Sequence, residues 1–255
     1  MSILSRALWR FGLPVWKRRS VRLRNAEPIV SFTFDDFPRS ALTAGGAILQ
    51  DYGGRGTYYT AMGLMGITNH EGEHFSVDDL HQLVRDGHEL GSHTYGHSSA
   101  RATGLQTFQD DVLRGESELA ALRGNSTPGN FAYPYGDATF SSKPAIGSRL
   151  RSCRGIHRGV MGQFADLNLL RGNRLYTHCF NMAEIESLIA ENQKRCGWLV
   201  FYTHDVRENA SDYGCSPAEF ESVVRAASRS GARILTISQA LDAIDPTPPA
   251  PVQSN

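Results

Sequence analysis

A chain of 255 residues, 40% hydrophobic and 20% charged, has room for one domain with a sizeable core and an ordinary globular make-up. Its 26 basic and 26 acidic side chains cancel, so no global field attracts nucleic acid and no such partner is expected. The four cysteines, Cys153, Cys179, Cys196 and Cys215, make no CxxC pair; they fit neither a disulfide scaffold nor a zinc ribbon and are expected as reduced thiols.

Residues 1–27 read as a leader segment. Leu4, Leu8, Trp9, Phe11, Leu13, Val15 and Trp16 are followed by Lys17, Arg18 and Arg19. Arg6 and Arg10 interrupt any secretory apolar run and no A-x-A cleavage site follows, so a cytoplasmic location is expected. No stretch reaches the roughly 18 apolar residues of a membrane span. The leader is expected to pack on the domain or stay mobile. Peripheral contact with an anionic membrane is the alternative for so basic and amphipathic a stretch.

From residue 28 to residue 244, short apolar runs alternate with capped helical patterns. The run Pro28–Phe34 is β-rich and starts after a proline, and Gly56–Thr60 predicts a second strand. Ser76 with Asp79 opens a helix that stops at Gly87; His88–Ser92 is the third strand. A longer helix spans Leu105–Arg123, ended by Gly124, and Asn130–Tyr133 is the fourth strand. Asn181 with Glu184 starts another helix, ended by Gly197, before the apolar strand Trp198–Tyr202. Ser216-Pro217-Ala218-Glu219 combines a capping box with proline at the first helical position, and Gly231 is the stop. Arg233–Ile237 is a last strand, and Ser238 is expected to cap a final helix. Residues 245–255 are Pro-rich and expected disordered. This alternation predicts a single parallel α/β domain, barrel or open sheet, with ligands at the carboxyl ends of its strands.

Four polar clusters fall at those ends. Thr33-Phe34-Asp35-Asp36 closes the first strand; adjacent carboxylates suit a site where one ligates a cation and the other serves as base. His93-Thr94-Tyr95-Gly96-His97 places two imidazoles within reach of one metal. Tyr133-Pro134-Tyr135-Gly136 makes a sharp turn that can present main-chain N–H groups. Thr203-His204-Asp205 sets a histidine at the mouth, suited to proton transfer. Two histidines and a carboxylate leave room for water, as in catalytic zinc sites, and metal-assisted hydrolysis of an amide or ester follows. His70, His74, His81, His88, His157 and His178 are expected as surface or core residues.

In order and spacing, these four clusters resemble carbohydrate esterase family 4, the NodB-homology polysaccharide deacetylases, over roughly residues 28–244. The resemblance implies a distorted (β/α) barrel of about seven parallel strands that removes N-acetyl groups from amino sugars in an oligo- or polysaccharide. It implies Asp36, His93 and His97 as metal ligands and Asp35 as the base toward the attacking water. It likewise implies the Tyr135 backbone N–H as oxyanion donor and His204 as general acid. The metal is expected to be zinc, with cobalt, nickel, iron or manganese compatible with the same ligands.

Two departures stand out. The family's third motif usually has an arginine two residues before the proline, where this chain has Ala132; Arg154, Arg171 or Arg174 is expected to supply that cation to Asp35. The Asp-rich fourth motif has no match between Arg149 and His178. A metal-dependent hydrolase of a small amide or cyclic imide, and a catalytically silent sugar-binding protein, are the competing expectations.

Overall fold

The computed structural model describes residues 8–124 and 127–244. The Pro-rich tail, expected disordered, and the first seven residues of the leader lie outside the described residues. In chain order the strands are β1 (Ser20–Arg22), β2 (Ile29–Asp35), β3 (Thr57–Thr60), β4 (Thr68–Asn69), β5 (Gly72–Glu73) and β6 (Glu89–Ser92), then β7 (Asn130–Ala132), β8 (Ser152–Arg154), β9 (Phe164–Asp166), β10 (Asn173–Arg174), β11 (Trp198–Thr203) and β12 (Arg233–Ile234). The α-helices are α1 (Ala47–Asp51), α2 (Val77–Arg85), α3 (Leu105–Arg123), α4 (Ser142–Gly147), α5 (Met182–Arg195), α6 (Pro217–Arg229) and α7 (Ile237–Ile244).

Seven parallel strands form one curled sheet in the order β10-β11-β2-β3-β6-β7-β8, with β12 also pairing to β2. The segment Leu170–Arg174 touches both edges of the curl. Its Leu170 bridges to Arg154 of β8, and its Asn173 and Arg174 pair with Phe201 and Tyr202 of β11. β2 and β11 are buried at every residue, as strands covered on both faces must be. Their side chains alternate. Val30, Phe32, Phe34, Leu199 and Phe201 pack with Leu42, Phe220, Val223 and Val224 in the main core. Ile29, Trp198 and Val200 face a second cluster with Tyr59, Ala132 and the α7 residues Ile237, Ala240, Leu241 and Ile244.

The caps explain most helix boundaries. Ser76 and Ser216 form reciprocal capping boxes with Asp79 and Glu219, and Gly124 takes the left-handed conformation (φ 66°) that ends α3. Two expected boundaries shift. Cys196, not Gly197, adopts the left-handed turn (φ 44°) after α5. Thr236, not Ser238, caps α7 through a reciprocal pair with Gln239, while the Ser238 N–H and hydroxyl donate to Glu89. The last strand accordingly stops at Ile234.

Within the leader, Leu13 is fully buried beside Phe108, Phe131 and Ile146, the Trp9 ring lies 4.6 Å from that of His157, and β1 pairs antiparallel with β9. All four cysteines are free thiols. No helix among the described residues is long and apolar enough to cross a membrane.

Candidate active site

The carboxyl ends of β2, β6, β7, β8 and β11 carry Asp35, Asp36, His93, His97, Tyr135, Arg154 and His204. β2 and β11 run in register, with Thr203 opposite Phe34, so His204 emerges beside Asp35 and Asp36. Backbone strain concentrates here: Asp36, Phe37, Thr94, His97 and Tyr135 all have φ between 53° and 64°, costing about 1–2 kcal/mol each. Local contacts hold the turns in place. The Asp111 carboxylate on α3 accepts from the Gly96 N–H (3.0 Å) and the Ser98 hydroxyl (2.5 Å), which clamps the turn between His93 and His97. Gly115 of α3 lets that helix approach the turn; a Cβ there would stand 2.7 Å from the Thr94 carbonyl. Asp205 is fully buried and accepts from Arg207 and Ser211, stapling the loop that carries His204.

Asp36, His93 and His97 converge on one point. Asp36 Oδ1 lies 3.5 Å from His93 Nε2 and 3.0 Å from His97 Nε2. His93 Nδ1 donates to the Ala132 carbonyl at 2.8 Å, which leaves its Nε2 lone pair facing inward, the tautomer a metal ligand needs. Burial pushes the His93 imidazole down to about 4, so near neutral pH it is an uncharged donor. Burial alone would raise the Asp36 carboxyl, but the imidazoles of His97, His93 and His204 around it outweigh this and hold the group well below the usual carboxylate range. Burial would likewise lower His97, yet Asp36 at 3.0 Å and the surrounding carboxylates raise it. These donors fit a divalent cation with positions left open for water.

Of the three arginines expected to reach Asp35, Arg154 is the one that does. It is fully buried, its Nη2 bonds both oxygens of Asp35, and its guanidinium carbon lies 4.6 Å from the Tyr202 ring centroid and 5.3 Å from that of Tyr59. It is also the register partner of Ala132 across β7–β8. The charge missing at Ala132 therefore enters from the next strand, on the same face of the sheet. Arg171 and Arg174 are exposed. Across the site, His204 Nε2 lies 3.9 Å from Asp36 Oδ2 while its Nδ1 donates to the Tyr213 carbonyl (3.2 Å). Tyr135 sits in the turn after β7 with its ring 4.6 Å from that of His97.

The sequence profile of polysaccharide deacetylases matches residues 22–147, spanning the Asp35–Asp36 and His93–His97 clusters and Tyr135. The chain belongs to the polysaccharide deacetylase family. No curated protein matches it. Among solved structures it is similar to the chitin deacetylase of the fungal pathogen Colletotrichum lindemuthianum (16% identity, 86% of this chain and 89% of that one, TM-score 0.58). It is also similar to Bacillus subtilis PdaA, a family 4 carbohydrate esterase (11% identity, 87% and 83% covered, TM-score 0.55). A third is the Xyl-CE4 domain of a xylanase from the hindgut metagenome of Trinervitermes trinervoides (16% identity, 85% and 90% covered, TM-score 0.54). At these identities the likeness is one of fold.

Measured against the family's motifs, this deacetylase site holds two residues that sequence reasoning missed. Glu71, in the β4–β5 hairpin, is 3% exposed and lies 4.0 Å from His204 Nε2. His74, expected as an ordinary surface or core histidine, is buried with its Nε2 3.4 Å from Glu71. The hairpin is pinned over the site by the stacked rings of Phe37 and Phe75 (5.1 Å), the Phe75 N–H to Phe37 carbonyl bond and the Pro38–His74 bridge. The only local signal was the Glu71–His74 spacing of three.

Proposed function

We propose that this deacetylase hydrolyses N-acetyl groups on amino sugars of an oligo- or polysaccharide, with a divalent cation held by Asp36, His93 and His97. The observation carrying this reading is the donor set itself: a buried Asp36 oxygen without a hydrogen-bond partner, faced by two imidazole Nε2 atoms. Zinc suits it best, and cobalt, nickel, iron and manganese are compatible. When bound, such a cation polarises the acetamide carbonyl and acidifies a water molecule.

The chain's own groups supply the rest. Asp35, locked by two bonds from Arg154, accepts the proton of the attacking water. The Tyr135 N–H, turned by its left-handed conformation, donates to the carbonyl oxygen as negative charge develops there. His204 exchanges its proton at Nε2, because Nδ1 is committed to Tyr213, and delivers it to the departing sugar nitrogen. The half-exposed rings of Tyr135 and Tyr213, 63% and 47% accessible, flank His97 and His204 and offer apolar faces to sugar rings.

The test is acetate release from acetylated chito-oligosaccharides by the zinc-loaded chain, run beside a panel of small cyclic imides. Turnover of the saccharides alone is expected. Turnover of imides alone would move the protein to the small-amide hydrolases.

A further inference from the structure

Glu71 and His74 have no part in the reaction just described. His74 Nδ1 donates to the Ile67 carbonyl (3.3 Å), and its Nε2 faces Glu71 Oε2 at 3.4 Å. Neither atom has a hydrogen-bond partner. His204 repeats the pattern: Nδ1 donates to Tyr213, and Nε2 faces Glu71 Oε1 at 4.0 Å and Asp36 Oδ2 at 3.9 Å. Carboxylate oxygens gathered around imidazole nitrogens call for positive charge among them, a proton or a cation. Asp36 thus presents its two oxygens to two donor sets, Oδ1 to His93 and His97 and Oδ2 to His204 with Glu71 behind. Donor atoms of Asp36, Glu71 and His204 all lie within 4.8 Å of one another. A divalent cation with ligands at about 2.0–2.2 Å closes that span with small side-chain movements.

We propose that Asp36, Glu71 and His204 form a second divalent-cation site, sharing Asp36 with the first, and that filling it silences the deacetylase. The silencing rests on the reading of His204 as proton donor: a cation on Nε2 occupies the one atom from which the sugar nitrogen receives its proton. The first set has two imidazoles and donor separations of 3.0 and 3.5 Å to Asp36. The second has one imidazole and wider separations, so it is the weaker site and fills only as metal rises. Metal therefore activates at one equivalent and inhibits beyond it.

The experiment titrates Zn2+ into the metal-stripped full chain by calorimetry, with bound zinc counted by elemental analysis. Two classes are expected, tight and weak. Glu71→Gln, which keeps the shape and removes the charge, is expected to weaken the second class by roughly tenfold or more and to spare the first. His97→Ala is expected to do the reverse. Within each variant, N-acetyl chito-oligosaccharide turnover is compared at one equivalent and in excess zinc; the fall seen in the parent chain should vanish in Glu71→Gln. Thermal melting checks that each variant folds, and His204→Gln reads the same weak class if Glu71→Gln does not. A single zinc class in the parent, or a weak class indifferent to both substitutions, overturns the second site. Failure of the first equivalent to bind through His97 would instead overturn the metal reading of the site, so the two are separable.

Discussion

Replacing Arg154 with alanine should cripple the enzyme while leaving it folded, and a second substitution one strand away should restore it. Arg154 is fully buried and both of its bonds to Asp35 are made inside the curl, where Asp35 is 5% exposed. Breaking a buried pair leaves an uncompensated carboxylate at a cost of about 3–5 kcal/mol. The base then loses its fixed direction toward water, and a general base contributes about 10²–10⁴-fold to rate. A fall in kcat/KM of about 10²–10³-fold, or roughly 3–4 kcal/mol of transition-state stabilisation, is expected for acetate release from chito-oligosaccharides. It should lie mainly in kcat, since Arg154 has no exposed surface for substrate. Because Ala132 and Arg154 are register partners, their Cα atoms are about 5 Å apart and point to one face. Ala132→Arg in the Arg154→Ala background should therefore regain at least roughly tenfold of the lost rate. The reasoning is refuted if Arg154→Ala keeps activity within about threefold, or if the folded double variant recovers nothing.

Gly115→Ala should weaken zinc binding by about tenfold, although glycine to alanine in a helix ordinarily stabilises by about 0.5–1 kcal/mol, because the new Cβ meets the Thr94 backbone at 2.7 Å; zinc calorimetry decides. His204→Ala should slow N-acetyl sugar cleavage far more than cleavage of an aryl acetate, since an amine leaves poorly without a proton; equal losses would make His204 a binding residue. Burial, aided by the Arg55 charge, holds the His88 imidazole down to about 4 from an ordinary 6.5, where its Nδ1 accepts from the Gly56 N–H. The unfolded chain then binds the extra proton first, so stability is full above about pH 6.5 and lost as pH falls toward 4, by about 3 kcal/mol. Urea unfolding from pH 7 to 4 should show that slope, and His88→Asn, whose amide oxygen can replace the acceptor, should flatten it.

The elements legible in the sequence are those whose evidence is local. β2 and β11 are long apolar runs, α3 has its glycine stop, and two serine capping boxes stand where they were read. Asp36 and His93 each directly follow a strand that periodicity reveals, and His97 lies in the turn just after His93, which is why their convergence could be expected from the sequence. β8 and β10 are three and two residues long, too short for alternation to register, and the curl is held at its edges by that short pair. Glu71 escaped for the same reason: its hairpin strands have two residues each, and what brings it to His204 is a stacked Phe37–Phe75 pair. Arg154 is the most instructive case. The site requires a guanidinium at a point in space beside Asp35, and a parallel sheet offers that point equally to either of two register-paired residues. A motif fixes a residue number and chemistry fixes only an atom's position, so an arginine that steps sideways by one strand looks lost in the sequence while its charge has moved no further than the neighbouring ladder.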